Sequence, residues 1–229
     1  MGMVFAGDKK EGTWLLATAE SRLRDALLPL VPRWCETYHL TMLTVLWCIL
    51  ILGCSYIAQF NGYSWSMHLV SVWIFLQYIT DLLDGAIGRA RDTGLIKWGY
   101  YMDHFLDYLF LCSILIGYSF LIAAPYKIML FFILALFGAF MVNSFLSFAA
   151  TNQFKIAYLG VGPTEIRVGF IVVNCFLAHN NTFLAPVLPY VLAGSLFGLF
   201  VTVFRTQQML WKLDMQIKAE RDDPQESGA

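Results

Sequence analysis

Four long stretches of the chain contain no Asp, Glu, Lys or Arg, and they constrain its fold more than any other feature. The stretches cover residues 37–80, 108–126, 128–154 and 168–204. A helix needs about 20 apolar residues to cross a bilayer, so there is room for several crossings. Charged residues make up only 14% of the chain, against about 25% in soluble domains. This pattern excludes a soluble enzyme, a nucleic-acid-binding protein and a disordered chain, and the continuous apolar runs exclude an outer-membrane barrel.

Polar and turn-forming residues divide these stretches into six predicted transmembrane helices. We expect the helices at residues 40–60, 67–90, 97–121, 127–150, 163–179 and 184–208. All fifteen Lys and Arg residues except Lys127 lie before the first helix, in or near the connection between the second and third, in or near the connection between the fourth and fifth, or at and beyond the end of the sixth. Because cytosolic loops are rich in Lys and Arg, both termini are predicted to be cytosolic. The fold class is therefore an all-α, multi-pass integral membrane protein, in the inner (cytoplasmic) membrane if the cell is bacterial.

A short amphipathic helix is predicted before the first crossing. Apolar residues recur there at spacings of three and four: Leu16, Ala19, Leu23, Ala26 and Leu27. Such a helix lies in the membrane interface, where it either only anchors the N-terminus or also shapes the entrance to a site. The predicted organisation is a cytosolic N-terminus with this helix at 1–36, a six-helix transmembrane domain at 37–210 and a cytosolic tail at 211–229.

Four carboxylates lie inside the second and third predicted helices, namely Asp81, Asp84, Asp103 and Asp107. A charged side chain inside a membrane segment is costly and by default marks a functional site. Spacings of three and four residues keep each pair on one helix face. The short connection makes the two helices antiparallel neighbours, so we expect the four acids to face one another in two tiers.

Carboxylates that face one another in a low-dielectric region are either partly protonated or bound to cations. Oxygen-only ligands suit Mg²⁺, Mn²⁺ or Ca²⁺, and two such ions form an electrostatic clamp for phosphoryl transfer. Gly85 and Gly99 leave the helix faces open to a substrate, and Arg89 offers a planar guanidinium for phosphate. The alternative is a divalent-cation or proton transporter, which would spread polar groups across the bilayer rather than within about 12 Å of its cytosolic edge.

The motif around these acids resembles a known signature. It reads Asp81-Leu-Leu-Asp84-Gly85-Ala-Ile-Gly88-Arg89, then nine residues, then Gly99-Tyr-Tyr-Met-Asp103-His-Phe-Leu-Asp107. The CDP-alcohol phosphotransferase (CDP-alcohol phosphatidyltransferase) family has Asp-x-x-Asp-Gly-x-x-Ala-Arg, eight or nine residues, and Gly-x-x-x-Asp-x-x-x-Asp. Only Gly88, where the family has Ala, departs from the fixed positions.

The resemblance implies an enzyme of phospholipid synthesis. It would transfer a substituted phosphate group from a CDP-alcohol, of the CDP-diacylglycerol or CDP-choline/ethanolamine type, to an acceptor alcohol and release CMP. One of the two substrates is then a lipid, and the cofactors are two divalent ions, Mg²⁺ or Mn²⁺. The family's usual homodimer is a further expectation, and the net charge of −1 predicts no nucleic-acid partner.

The resemblance also implies roles for individual residues. Asp81, Asp84 and Asp103 would hold the two metals, whereas Asp107 would lie near the second metal and act as the general base. The cytidine and phosphate groups would be bound by the remaining motif residues, which are Gly85, Arg89 and Gly99.

Three weaker signals stay open at this point. His104 beside Asp103 is similar to the choline and ethanolamine phosphotransferase branch, but a histidine hydrogen-bonded at a helix end explains it as well. Glu165 and Arg167 at the start of the fifth helix either cap that helix or line an acceptor or phosphate pocket. In the first helix Thr41 alone matches a Pro-Asn-x-Thr pattern of the family, so no nucleotide contact is predicted there.

Overall fold

The structure is a computed structural model that describes residues 10–11, 15–62, 64–92, 95–152, 154–155, 162–180 and 182–222. The helices are α1 (Ala17–Leu27), a one-turn 3-10 helix (Leu28–Leu30), α2 (Thr37–Phe60), α3 (Ser66–Arg91), α4 (Ile96–Leu121), α5 (Ala124–Thr151), α6 (Pro163–Leu177) and α7 (Leu184–Asp222). Two strands of two residues, β1 (Lys10–Glu11) and β2 (Phe154–Lys155), pair in parallel. Residues 1–9 of the predicted N-terminus and 223–229 of the predicted tail lie outside the described residues.

Five helices in the described part of the chain are long and apolar enough to cross a membrane: α2, α3, α4, α5 and α7. Their outer faces carry large apolar side chains, such as Leu146, which is 66% exposed, and Phe197, which is 69% exposed. A soluble protein would not present so much apolar surface to water. The prediction of a helical integral membrane protein is thus confirmed.

The fifth predicted crossing corresponds to α6, which is shorter than expected. It has 15 residues, or about 22 Å at 1.5 Å per residue, and it is not one of the five helices above. The sixth predicted crossing is α7, which continues as one helix to Asp222. A six-helix transmembrane domain therefore stays a prediction.

The apolar core fills one end of the bundle. It takes a fully or almost fully buried side chain from each of the six longest helices: Ile51, Ile74, Ile114, Ile133, Leu177 and Leu188. Ile74 lies two turns before Asp81 on α3, and Ile114 lies two turns after Asp107 on α4. The core therefore packs the helices together beyond the acidic residues, and leaves the acidic end of the bundle open.

Helix α2 holds the two acidic helices in place. It packs along both α3 and α4, which contact each other little. At Gly117 of α4 the two helices are so close that an added Cβ atom would lie 2.5 Å from Ser55 Oγ on α2. Because α2 separates the two acidic helices along most of their length, their carboxylates meet only near the open end.

Helix α1 lies over the open end of the bundle and is held there by hydrogen bonds from both sides. The backbone N–H of Leu16 donates to Glu165 Oε1 at 2.9 Å, and Thr164 Oγ1 donates to Glu20 Oε2 at 2.6 Å. After α1, Arg91 at the end of α3 donates to the carbonyl oxygens of the following segment, at 3.0 Å to that of Val31. These contacts connect α1 to the beginning of α6, and the segment that follows α1 to the end of α3.

Candidate active site

A cavity of about 930 Å³ opens between α1 and four of the long helices, α3 to α6, and reaches α7. Its polar end contains the carboxylates of α3 and α4 and the guanidinium groups of Arg89 and Arg167. Its apolar end is lined by aromatic residues of α5 and α6, including Phe137, Phe140 and Phe170. The cavity therefore offers one surface for charged groups and one for hydrocarbon.

Three carboxylates converge at the polar end. Asp81 on α3 and Asp103 and Asp107 on α4 each offer an oxygen atom, and these atoms lie within 4.8 Å of one another. The spacing of four residues puts Asp103 and Asp107 on the same face of α4. This trio is the largest part of the predicted cluster, and its all-oxygen donor set suits a hard divalent cation.

Asp84 is oriented differently from the trio. It is 5% exposed, and its Oδ2 accepts a hydrogen bond from Thr41 Oγ1 on α2 at 2.7 Å. Its Oδ1 accepts from the backbone N–H of Gly85, and Thr37 Oγ1 donates to its carbonyl oxygen at 3.1 Å. Of the four predicted acids, Asp81, Asp103 and Asp107 thus form a trio. Asp84 is fixed separately by α2, so the expected two tiers of two are not seen.

Arg167 lies against the trio and lines the same cavity. Its Nη2 donates to Asp107 Oδ1 at 2.9 Å and to Asp81 Oδ2 at 3.1 Å. Its Nε donates to Gln77 Oε1 at 2.9 Å. The residue is 7% exposed, so its guanidinium group is a buried cation shared by two carboxylates from different helices.

Gln77 of α3 is completely buried beside the trio and was not predicted as a site residue from the sequence. Besides accepting from Arg167, it donates from Nε2 to Asp107 Oδ1 at 3.5 Å. The available signal was its position four residues before Asp81, which puts both side chains on one helix face. An uncharged amide in an apolar helix more often joins helices than serves a site, so the sequence did not distinguish the two roles.

The other motif residues are at the outer part of the site. Arg89 is exposed, and a Cβ atom added to Gly85 would lie 3.3 Å from Arg89 Nη1, so the absence of a side chain at Gly85 gives room to the guanidinium. Both residues line the cavity. Gly99 is not part of the described cavity wall, and a Cβ atom there would meet nothing within 4 Å.

The two charged residues at the start of α6 have different surroundings. Glu165 caps the start of α6, because its Oε2 accepts from the backbone N–H of Gly162 at 2.9 Å. Its other oxygen accepts from Leu16, as described above. Both oxygens of Glu165 therefore bind backbone N–H groups outside the carboxylate trio, whereas Arg167 contacts the trio directly.

His104 lines the cavity beside the trio. Its Nδ1 is 3.5 Å from Asp103 Oδ2, and its ring lies 4.4 Å from that of Tyr100 and 5.4 Å from that of Phe145, between ring centroids. The imidazole is thus held between aromatic rings of α4 and α5. This geometry is compatible with both roles left open for His104.

One face of α1 forms part of the cavity wall. The lining residues follow the helical spacing of three, four and seven: Ala17, Glu20, Ser21 and Arg24. Three of these are polar, so α1 turns a polar face to the cavity. Of the two roles left open for the N-terminal helix, the geometry favours the one that shapes the entrance.

Small residues of α7 line the apolar end of the cavity. Gly194 and Gly198 lie four residues apart on the cavity side. A Cβ atom at Gly198 would lie 3.4 Å from the Phe140 ring, and one at Gly194 would meet nothing within 4 Å. Larger side chains at these positions would therefore project into the space that the apolar end provides.

Comparison with known proteins gave one match. The family model described as CDP-alcohol phosphatidyltransferase matches residues 37–204, which is more than half of the chain. The match contains α2 to α6, the part of α7 up to residue 204, and the four aspartates of α3 and α4, which are Asp81, Asp84, Asp103 and Asp107. No curated protein and no solved structure matched the chain.

Proposed function

Since the chain belongs to the CDP-alcohol phosphatidyltransferase family, whose members act in phospholipid synthesis, we propose that it transfers a substituted phosphate group from a CDP-alcohol to an acceptor alcohol and releases CMP. The observation that carries the proposal is the convergence of Asp81, Asp103 and Asp107 at the polar end of a cavity whose other end is apolar. Such a cavity suits a charged nucleotide together with a lipid.

The family uses divalent metal ions, and the donor atoms of this chain fit them. We assign the two ions, Mg²⁺ or Mn²⁺, to Asp81, Asp84 and Asp103, with Asp107 near the second ion. Bound divalent ions would neutralise the pyrophosphate of the donor and the charge that develops during transfer. Thr41 supports this assignment because it fixes the carboxylate of Asp84.

Asp107 is proposed as the general base. It takes the proton of the acceptor hydroxyl as the acceptor oxygen bonds to the β-phosphorus of the donor, and the bond from that phosphorus to the bridging oxygen breaks. The bridging oxygen leaves with CMP. Asp107 accepts hydrogen bonds from Arg167 and Gln77 on one oxygen, Oδ1, and these contacts fix the direction of its carboxylate.

The outer part of the site is assigned to the nucleotide. Arg89 would bind phosphate, Gly85 would give the guanidinium room, and Gly99 would leave the start of α4 open to the cytidine group. Arg167 is kept at the acceptor or phosphate end of the site, and Glu165 is assigned to holding α1 and α6 together. His104, which contacts aromatic rings of the cavity, is a residue to test for head-group preference.

The apolar end of the cavity is assigned to the hydrocarbon part of the lipid substrate. Gly194 and Gly198 of α7 line this space without a side chain, which supports the assignment because it leaves room for hydrocarbon beside α7. The same cavity accepts either a lipid-linked CDP donor with a soluble alcohol, or a soluble CDP-alcohol with a lipid acceptor.

We further propose that α6 is the sixth crossing. An even number of crossings places both termini on one side of the membrane, together with every Lys and Arg except Lys127. The open end of the bundle, with α1 across it, would then face the cytosol. The helix is short for a full crossing, so its Pro163 end would lie below the cytosolic surface, where α1 covers it.

CMP release from defined donors tests the proposal. Purified protein in liposomes is given CDP-diacylglycerol, CDP-choline or CDP-ethanolamine with a panel of acceptor alcohols, with Mg²⁺, Mn²⁺ or a chelator. We expect CMP from one donor class, and none with the chelator. Proton or metal flux across the liposomes without CMP from any donor would contradict the proposal and favour a transporter.

A further inference from the structure

We propose that Arg167 is a built-in cation of the carboxylate site, which is the shared counter-ion of Asp81 and Asp107 when no divalent ion is bound and competes with that ion for the same carboxylates. The inference rests on the proposed function in one respect, namely that these acids hold a divalent metal. It adds that the affinity for the metal is set by a residue outside the ligand set, on α6.

Arg167 contacts two members of the carboxylate trio at once. One nitrogen atom, Nη2, lies 2.9 Å from Asp107 Oδ1 and 3.1 Å from Asp81 Oδ2. The two carboxylates belong to different helices and to the trio whose oxygen atoms converge within 4.8 Å. A single positive group therefore bridges two members of the trio, as a bound cation would.

Neighbouring residues hold the guanidinium of Arg167 in this place. Gln77 Oε1 accepts from Nε at 2.9 Å, and the Phe110 ring centroid lies 5.7 Å from the guanidinium carbon, within the range of a cation–π contact. Arg167 is also almost completely buried. These neutral contacts keep the positive charge beside the acids at a fixed distance.

The negative charge of the trio exceeds the positive charge of Arg167. Three carboxylates of α3 and α4 carry up to three negative charges, of which Arg167 balances one, so the site still attracts a divalent cation. The guanidinium lies about 3 Å from two of the carboxylates that would bind the divalent ion. It would therefore be close to the ion itself, and the two positive charges would repel each other strongly at that distance. Arg167 therefore stabilises the metal-free protein and weakens metal binding.

Mn²⁺ binding to the purified full-length protein in detergent tests the competition. Mn²⁺ is titrated into chelator-treated protein without substrate, and free Mn²⁺ is followed by electron paramagnetic resonance. The variants are Arg167→Gln, which removes the charge, and Arg167→Lys, which keeps it. We expect Arg167→Gln to bind Mn²⁺ about tenfold more tightly than the unaltered protein, and Arg167→Lys, which keeps the positive charge, to stay within about threefold of it.

Thermal unfolding supplies a second measurement, in which the metal-free variant is expected to lose stability although it binds Mn²⁺ more tightly. Without metal, Arg167→Gln is expected to unfold at a lower temperature, because Asp81 and Asp107 lose their counter-ion. With saturating Mn²⁺ the difference from the unaltered protein is expected to shrink. A merely structural arginine would lower the unfolding temperature equally in both conditions, and that result would overturn the proposal.

Equal or weaker Mn²⁺ binding by folded Arg167→Gln would likewise overturn it. If Arg167→Gln does not fold, Gln77→Leu takes its place, since it removes the acceptor of Arg167 Nε, together with the longer bond of 3.5 Å to Asp107, without changing any charge. It is expected to bind Mn²⁺ about threefold more tightly, and an unchanged affinity would refute the competition. Absence of Mn²⁺ binding to every protein would reject the metal site itself, whereas CMP release, measured separately, reports on the transferase.

Discussion

Replacing Thr41 with Val removes one hydroxyl group from the support of Asp84. The two side chains have nearly the same shape, so the change tests the hydrogen bond of 2.7 Å to Asp84 Oδ2 with little change in packing. The hydroxyl has one proton, and it also lies 3.1 Å from the carbonyl oxygen of Thr37. The shorter distance and the acceptor's charge direct that proton to Asp84.

The expected magnitude follows from the burial of both partners. A hydrogen bond to a charged group contributes about 1.5–3 kcal/mol, and Thr41 and Asp84 are 2% and 5% exposed, so water cannot replace the hydroxyl. Loss of a group that orients a metal ligand costs about 10–100-fold in metal affinity or activity. We therefore expect kcat/KM for CMP release to fall about tenfold to a hundredfold in Thr41→Val.

Thr37→Val is the matched control. It removes a hydroxyl from the same helix, one turn away, whose bond is to the carbonyl oxygen of Asp84 and not to the carboxylate. We expect a similar loss of thermal stability and a kcat/KM within about threefold of the unaltered protein. Wild-type kinetics in Thr41→Val, or equal losses in both variants, would refute the role given to the orientation of Asp84.

Three further predictions concern other parts of the fold. Gly117→Ala is expected to cost about 1–3 kcal/mol of stability through its clash with Ser55. Gly53→Ala, whose added Cβ atom would meet nothing within 4 Å, is expected not to carry this cost. Equal unfolding temperatures of the two variants would contradict this. Gly198→Phe is expected to raise KM for the lipid substrate alone, and an unchanged KM would refute the apolar assignment. Glu165→Ala is expected to speed hydrogen exchange at residues 15–27, and protection as in the unaltered protein would show that the tether of α1 lies elsewhere.

The sequence predicted the membrane class and the carboxylates because both depend on local pattern. A charge-free stretch indicates a membrane crossing whichever helices pack beside it. Asp81, Asp103 and Asp107 are recognisable because acidic residues are rare in apolar helices. Helical spacing and the short connection predicted that these acids converge, but as two tiers on directly packed helices. In the structure α2 packs on both α3 and α4, which the spacing did not predict.

The remaining contacts depend on packing between distant helices, which periodicity does not encode. Arg167 meets Asp81 across 86 positions, and Asp84 turns to α2 because Thr41 is there, 43 positions earlier. The charge of Arg167 could be read from the sequence, but its partners could not. The polar face of α1 was ambiguous for the same reason, since an interfacial helix also turns polar groups away from lipid.

CMP release by Asp107→Asn, compared with Asp214→Asn, tests the central claim most directly. Both variants lose one carboxylate, but Asp214 is an exposed residue of α7 outside the main cavity. With the preferred donor, its acceptor and Mn²⁺, Asp214→Asn is expected to release CMP at the normal rate, and Asp107→Asn is expected to be folded and inactive. CMP release by Asp107→Asn at the rate of the unaltered protein would contradict the assignment of the base and of the site.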